Sequence, residues 1–418
     1  MRKIKPLTKK DLLEFSRLGC DAYPGMEMFT EEQKKELAER FKKRFDMKNR
    51  HFYGMFDKSE MLGGMILYDF DMNLFGTKVL CGGGGFLAVA LTHKKEYVAR
   101  DFCQFFLRYY RKLKSPVASL YPFRPDFYKD MGAVPGAKVS IYRFHPTSLP
   151  YTKTKKQLIK LTGKDAAKIS KCFDEYAAKH NGMFYDPPGY RELLVNASKK
   201  SQILGYMNKG KLEGFLIYNF KKGTKPSWLN YEIHISEMIY NSPEALEQFC
   251  NYLHTQKDQI ALIQHITFDP DFYQLLNDPR NDSGRIFDPV YHETNDQAVG
   301  IMYRVIDNKL LFEKMNKRDF NGQSLKIKFN IEDNFLEENN GPLIVYFENG
   351  LSQIQKETAP VDLEISLNIL EFTALILGSA SFISLYNYKK LTVSNKKYVE
   401  QLQKLFLCES QPFCLTQF

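Results

Sequence analysis

The residues with the plainest chemistry lie in Thr92-His-Lys-Lys-Glu-Tyr-Val-Ala-Arg100, a basic loop between a strand-like apolar run (79–91) and a helical one. Val98, Phe102, Phe105, Phe106, Tyr109 and Leu113 recur at helical spacing, so the loop opens a helix directly after a strand. The first backbone N–H groups of such a helix point outward and its dipole favours negative charge. Lys94, Lys95 and Arg100 add to that field, so the chemistry is recognition of an anion such as a phosphate. The segment reads equally as a solvated turn carrying lysines. Just before it the strand contains Gly82-Gly-Gly-Gly85, a pattern that marks a bulge or a close backbone approach.

A second stretch is written twice, as Phe123-Arg-Pro-Asp-Phe-Tyr128 and Phe268-Asp-Pro-Asp-Phe-Tyr273. Other landmarks repeat in the same order: Gly64-Met-Ile-Leu-Tyr-Asp-Phe70 with Gly214-Phe-Leu-Ile-Tyr-Asn-Phe220, Leu7-Thr8 with Leu161-Thr162, and Asp21-Ala-Tyr23 with Asp174-Glu-Tyr176. Ordered matches at slowly shrinking spacing indicate a duplicated domain, 1–150 and 151–290, followed by a third domain over 291–418. The copies are unequal. The second has neither the glycine run nor the basic loop, and Asn241-Ser-Pro-Glu reads as an ordinary helix start.

The elements that must hold these residues are legible in outline. Thr30-Glu-Glu-Gln33 is a capping box opening a helix with Leu37, Phe41 and Phe45 on one face. Residues 51–57 and 61–70 flank Lys58-Ser-Glu60 as a hairpin, 117–121 is a strand, and 139–144 closes the first copy. In the third domain, 325–331 alternates as a half-buried strand, more strands follow, and an apolar helical run extends past Glu371. That run is too short to span a membrane, and the start, MRKIKPLTKKDLLEF, lacks a secretory core; a soluble cytoplasmic protein is expected, with no membrane partner. Seven scattered cysteines read as reduced core residues, and the histidines have no ligand spacing, so no metal is expected. The net charge of +10 is spread over the chain and mixed with acids, which argues against nucleic acid as a partner.

The order helix, hairpin, glycine-bearing strand, basic loop and helix, strand, tyrosine-bearing short helix resembles the GNAT acyltransferase fold. With Phe86-Leu-Ala-Val89, Thr92-His-Lys-Lys95, Tyr121-Pro-Phe-Arg-Pro-Asp-Phe-Tyr-Lys-Asp-Met-Gly132, the duplication and the ending Pro412-Phe-Cys-Leu-Thr-Gln-Phe418, the whole chain resembles the Eis (enhanced intracellular survival) family. That resemblance implies an α/β (α+β) architecture of two tandem GNAT-like domains, the second degenerate, and a sterol-carrier-like third domain. It implies an acetyl-CoA-dependent N-acetyltransferase acting on an amine-bearing small molecule or peptide, and a homo-oligomer, as hexamers.

Residue by residue, the resemblance puts the cofactor on Leu87, Ala88 and Val89 of the strand and on Lys94, Lys95, Tyr97, Val98, Ala99 and Arg100 of the loop and helix start. It makes Tyr128 the general acid and the carboxylate of Phe418 the general base. An aromatic ending after Pro412-Phe413 suggests a docked tail, and burial raises an α-carboxyl above its usual pKa of about 3.3–3.7. Asp21 and Glu27 are the candidates for an acidic wall facing the amine. Two features point elsewhere. Tyr97 stands where the family usually has glycine, beside the acidic Glu96, and Tyr273 keeps the tyrosine motif without the other parts, as a packing residue would. The alternative reading is a catalytically degenerate ligand-binding or scaffold protein of the same fold.

Overall fold

The computed structural model describes residues 2–154, 158–187, 189–197, 201–223 and 230–418. Contacts divide the chain into two compact units, residues 2–136 with 301–418, and 137–300.

In the first unit, β1 (Lys3–Pro6) leads to α1 (Leu12–Ala22) and α2 (Glu31–Phe45). The expected capping box opens α2: Thr30 Oγ1 accepts from Gln33 N at 3.3 Å, and Gln33 Oε1 accepts from Thr30 N at 3.0 Å. The hairpin follows as β2 (Arg50–Asp57) and β3 (Glu60–Leu74), turning at Lys58 with φ 53°. Then come β4 (Thr77–Val89), α3 (Val98–Lys112), β5 (Val117–Leu120), α4 (Pro125–Lys129) and β6 (Val134–Pro135). The sheet runs β1-β2-β3-β4-β5, then strand Met302–Val305, then β6. The α3 face carrying Val98, Phe102, Cys103, Phe106, Leu107 and Tyr110 is buried on it; of the expected face, Phe105 and Tyr109 are half-buried at its margin and Leu113, just past the helix, is exposed.

The rest of the first unit is a second sheet in the order Leu351–Ile354, Gly341–Glu348, Leu325–Glu332, Leu363–Asn368, Leu391–Val393. The apolar run after Glu371 is two helices rather than one, Ile369–Leu377 and Phe382–Asn387. Gly378, at φ 78°, ends the first of them in the left-handed conformation that glycine adopts without strain.

In the other unit, strand Lys138–Phe144 pairs with Ile260–Thr267 and Asn295–Val299, in a sheet that continues through Tyr231–Tyr240, Lys211–Lys222, Gln202–Asn208 and Leu158–Lys160. Strand 139–144, expected to close the first copy, therefore belongs to the second sheet. Strand Met302–Val305, which follows the second copy, lies in the first sheet, antiparallel to β5 and β6. Equivalent last strands offer the same apolar face and the same hydrogen-bonding edge, so local pattern does not say which sheet each joins. Among the described residues the cysteines form no disulfide, and no helix is long and apolar enough to cross a membrane.

Candidate active site

The site is built around β4. It runs antiparallel to β3, with Gly64 opposite Ala88 and Ile66 opposite Gly85, so Phe86 and Leu87 stand together against Met65. This is a β-bulge, and Phe86 takes φ 46° to make it. The bulge expected within the glycine run thus lies just beyond it. The Phe86 ring enters an aromatic cluster with Phe15, Phe41 and Tyr23 at centroid distances of 5.1–5.5 Å. On the other side, parallel pairing with β5 ends at Gly84 opposite Leu120, so among the described residues no strand ladder accompanies Leu87, Ala88 and Val89 there. The Leu87 carbonyl accepts the Tyr23 hydroxyl at 2.5 Å.

The glycines serve close approach instead. A Cβ on Gly83 would lie 2.5 Å from the Phe70 ring and 3.1 Å from the Phe418 ring. One on Gly85 would lie 3.1 Å from the Tyr68 ring and 3.6 Å from the carboxyl carbon of Phe418. The tail thus docks on the strand face that side chains would otherwise fill. The Phe418 ring packs on Phe70 (4.7 Å), Tyr121 (5.3 Å) and Tyr68 (5.4 Å), and the Thr416 carbonyl accepts the Tyr121 hydroxyl at 3.1 Å. Pro412, Phe413, Cys414 and Thr416 are buried.

Beyond β4 the chain makes one 3-10 turn, Leu91–His93, and passes through Lys94–Tyr97 into α3. Tyr97 does not close the loop. It adopts φ 63°, ψ 4°, the left-handed geometry a glycine would take, and its side chain is 69% exposed. Lys95 is left-handed as well, at φ 67°. Each costs about 1–2 kcal/mol relative to a right-handed residue, so the rest of the loop must enforce the shape. No side chain of Tyr97 caps α3, whose first turn begins at Val98, Ala99 and Arg100.

Glu96, expected to oppose a phosphate, is engaged elsewhere. It pairs with Arg2 and, at 3.1 Å, with His93, which also meets Glu60 at 3.2 Å. Hydrogen bonds donated to Glu96 and then to Glu60 hold the His93 pKa above its ordinary value, and the bond from His93 holds the Glu96 carboxyl below its own. Lys94, Lys95 and Arg100 are exposed and make no ion pair among the described residues; the Arg100 guanidinium sits 5.8 Å from the Phe335 ring.

Tyr128 sits in the single turn of α4, which Pro125 starts, and Gly132, at φ 81°, lies in the turn that follows it. Its carbonyl accepts from Met131 N (3.1 Å) and Ala133 N (3.0 Å). Its ring packs on the core beneath β4 and on Phe127, while its hydroxyl makes no hydrogen bond among the described residues. Burial first, then the nearby Cys103 and Tyr23, pushes its phenol well above 10. Tyr273 of the other copy is 39% exposed in a short turn, Phe272–Leu275.

Of the acidic candidates, Asp21 is paired with Lys34 at 2.9 Å, whereas Glu27, exposed at φ 53°, makes no ion pair among the described residues. Sequence reasoning missed Tyr23, Tyr68 and Tyr121, which contact the bulge and the tail. The available signals were the repetition of Tyr23 as Tyr176 and of Tyr68 as Tyr218, and the place of Tyr121 at the head of the Tyr121–Gly132 segment. The second copy explains its own silence. Strand Tyr231–Tyr240 is followed after two residues by helix Pro243–His254, capped by Ser242, so there is no loop to surround a phosphate.

Residues 3–136 match an acetyltransferase (GNAT) domain, residues 186–309 a further acetyltransferase (GNAT) domain, and residues 313–415 a sterol carrier protein domain. Among solved structures the chain is similar to a GCN5-related N-acetyltransferase from Anabaena variabilis ATCC 29413 (TM-score 0.82, 16% identity). It is also similar to a conserved protein of unknown function, a probable N-acyltransferase, from Enterococcus faecalis V583 (0.78, 19%), and to Eis1 from Mycobacterium abscessus (0.77, 16%). Each comparison covers 100% of both chains, and at these identities the likeness is one of fold. No curated protein matches. The chain thus carries two GNAT acetyltransferase domains and a C-terminal sterol carrier protein domain, in a fold it shares with Eis1.

Proposed function

We propose that the chain transfers the acetyl group of acetyl-CoA directly to a primary amine on a small molecule or peptide. In this reading the unladdered backbone of Leu87, Ala88 and Val89 lies along the pantetheine. Lys94, Lys95, Tyr97, Val98, Ala99 and Arg100 surround the pyrophosphate, with N–H groups at the start of α3 as donors. The carboxylate of Phe418 takes a proton from the amine, whose nitrogen attacks the thioester carbonyl. The C–S bond breaks, and Tyr128 gives its proton to the departing thiolate. Its raised pKa keeps the phenol protonated at any working pH, and the same desolvation raises the thiolate it must protonate. Glu27, and Asp21 where Lys34 releases it, would face a cationic acceptor.

The observation that carries the reading is the docking of the chain end: the Phe418 carboxyl carbon lies against Gly85, next to the bulge where Tyr23 meets Leu87. The test is calorimetric titration of acetyl-CoA into the full chain, with CoA release followed over a panel of amines: an aminoglycoside, a polyamine and a lysine peptide. The expected result is a Kd of about micromolar and amine-dependent CoA release. No binding at millimolar acetyl-CoA would leave a scaffold of the same fold. The hexamer implied by the family belongs to the same reading, and sedimentation tests it.

A further inference from the structure

A loop of the sterol-carrier-like domain holds two parts of the candidate site at once. Asp333 is wholly buried just after strand Leu325–Glu332. One of its oxygens accepts from Phe335 N (3.1 Å) and Leu336 N (2.9 Å); the other accepts from the Arg304 guanidinium (2.6 Å) and Asn339 Nδ2 (2.9 Å). Arg304, 2% exposed, uses its Nε to hold the carbonyl of Met131 at 2.6 Å. Met131 N is itself bonded to the carbonyl of Tyr128. A Cβ on Gly132 would come within 2.8 Å of Arg304 Nε and 2.7 Å of Ile369, so the turn that follows α4 is shaped around this guanidinium.

The same loop reaches the outer face of α3. Gln104 Nε2 donates to the Phe335 carbonyl at 3.3 Å, Arg108 pairs with Glu338 at 3.1 Å, and Arg111 donates to Asn339 Oδ1 at 2.8 Å. A buried ion pair contributes little net stability compared with a well-packed apolar substitute, so its value here is one of position.

We infer that residues 333–340, fixed by the Asp333–Arg304 pair, form a clamp that sets Tyr128 against the anion-binding start of α3. Arg304 and Asp333 are then positioning residues that act through Tyr128, an inference resting on the acid role proposed above. The test is a double-mutant cycle on the full chain, with the amine of the panel that wild type turns over fastest. Arg304→Lys keeps the charge and loses the geometry. It is expected to lower kcat about 10-fold or more, as small misplacements of a reacting group do, with the KM for acetyl-CoA within about twofold. In a Tyr128→Phe background the same change should have no further effect on kcat. If Arg304→Lys is unfolded at assay temperature, Asn339→Ser, which leaves the ion pair intact, replaces it in the cycle. An undiminished kcat, or an equal loss in both backgrounds, overturns the clamp. Tyr128→Phe with wild-type kcat, or no turnover by wild type, overturns instead the reading beneath it.

Discussion

At the residue scale, the duplicated motif separates a packing tyrosine from a candidate acid. Tyr128 and Tyr273 share six-residue surroundings, yet one packs on a core beside Cys103 and Tyr23 and the other stands 39% exposed in a short turn. The account expects Tyr128→Phe to lower kcat about 10²-fold or more with little change in acetyl-CoA affinity, and Tyr273→Phe to leave both unchanged. Steady-state kinetics on the two variants decide it; equal effects would make the motif purely architectural. The motif itself was legible in the sequence. The environment that distinguishes the copies was not, because Cys103 and Tyr23 come from separate elements and only the fold assembles them. Tyr97 shows the same limit: its type argued against a glycine-like loop, while its backbone adopts that geometry under constraint from its surroundings.

At the element scale, β4 and the loop after it were found by pattern and corrected in detail. Four glycines drew attention to the strand, but the bulge falls on Phe86 and Leu87, where an aromatic cluster stabilises a left-handed residue. The charge of the loop was also only half legible, since Glu96 is matched by Arg2 and His93 from either side. This gives a pH dependence. His93 has a raised pKa, so its positive charge, and the loop stability it confers, is fully present below the unfolded value near 6.5 and is lost as pH rises through the folded value. Without it, Glu60 and Glu96 are less compensated beside the proposed pyrophosphate site. Acetyl-CoA affinity should therefore fall between about pH 6 and about pH 8, and His93→Gln should remove that fall. Calorimetry at the two pH values checks it, and a fall of equal size in the variant would assign the effect to other groups.

At the scale of the whole molecule, the duplication was visible in sequence but the placement of the last strands was not. Strand Met302–Val305 fills a place in the first sheet between β5 and β6, so residues 1–136 alone lack part of their own sheet. A fragment of residues 137–300 should fold, and one of residues 1–136 should not; circular dichroism and melting of the two fragments test this, and a cooperative transition in 1–136 would contradict it. The third domain contributes the loop over α3 and α4 and delivers the chain end to Gly85. The central claim is that this chain end takes part in the chemistry. The most direct measurement compares the untagged chain with one extended by a single glycine after Phe418, following acetyl-CoA binding by calorimetry and amine-dependent CoA release on the same samples. The account expects similar binding and a loss of turnover of about 10²-fold or more in the extended chain. Equal turnover with and without the added residue would show that the carboxylate of Phe418 is not the base.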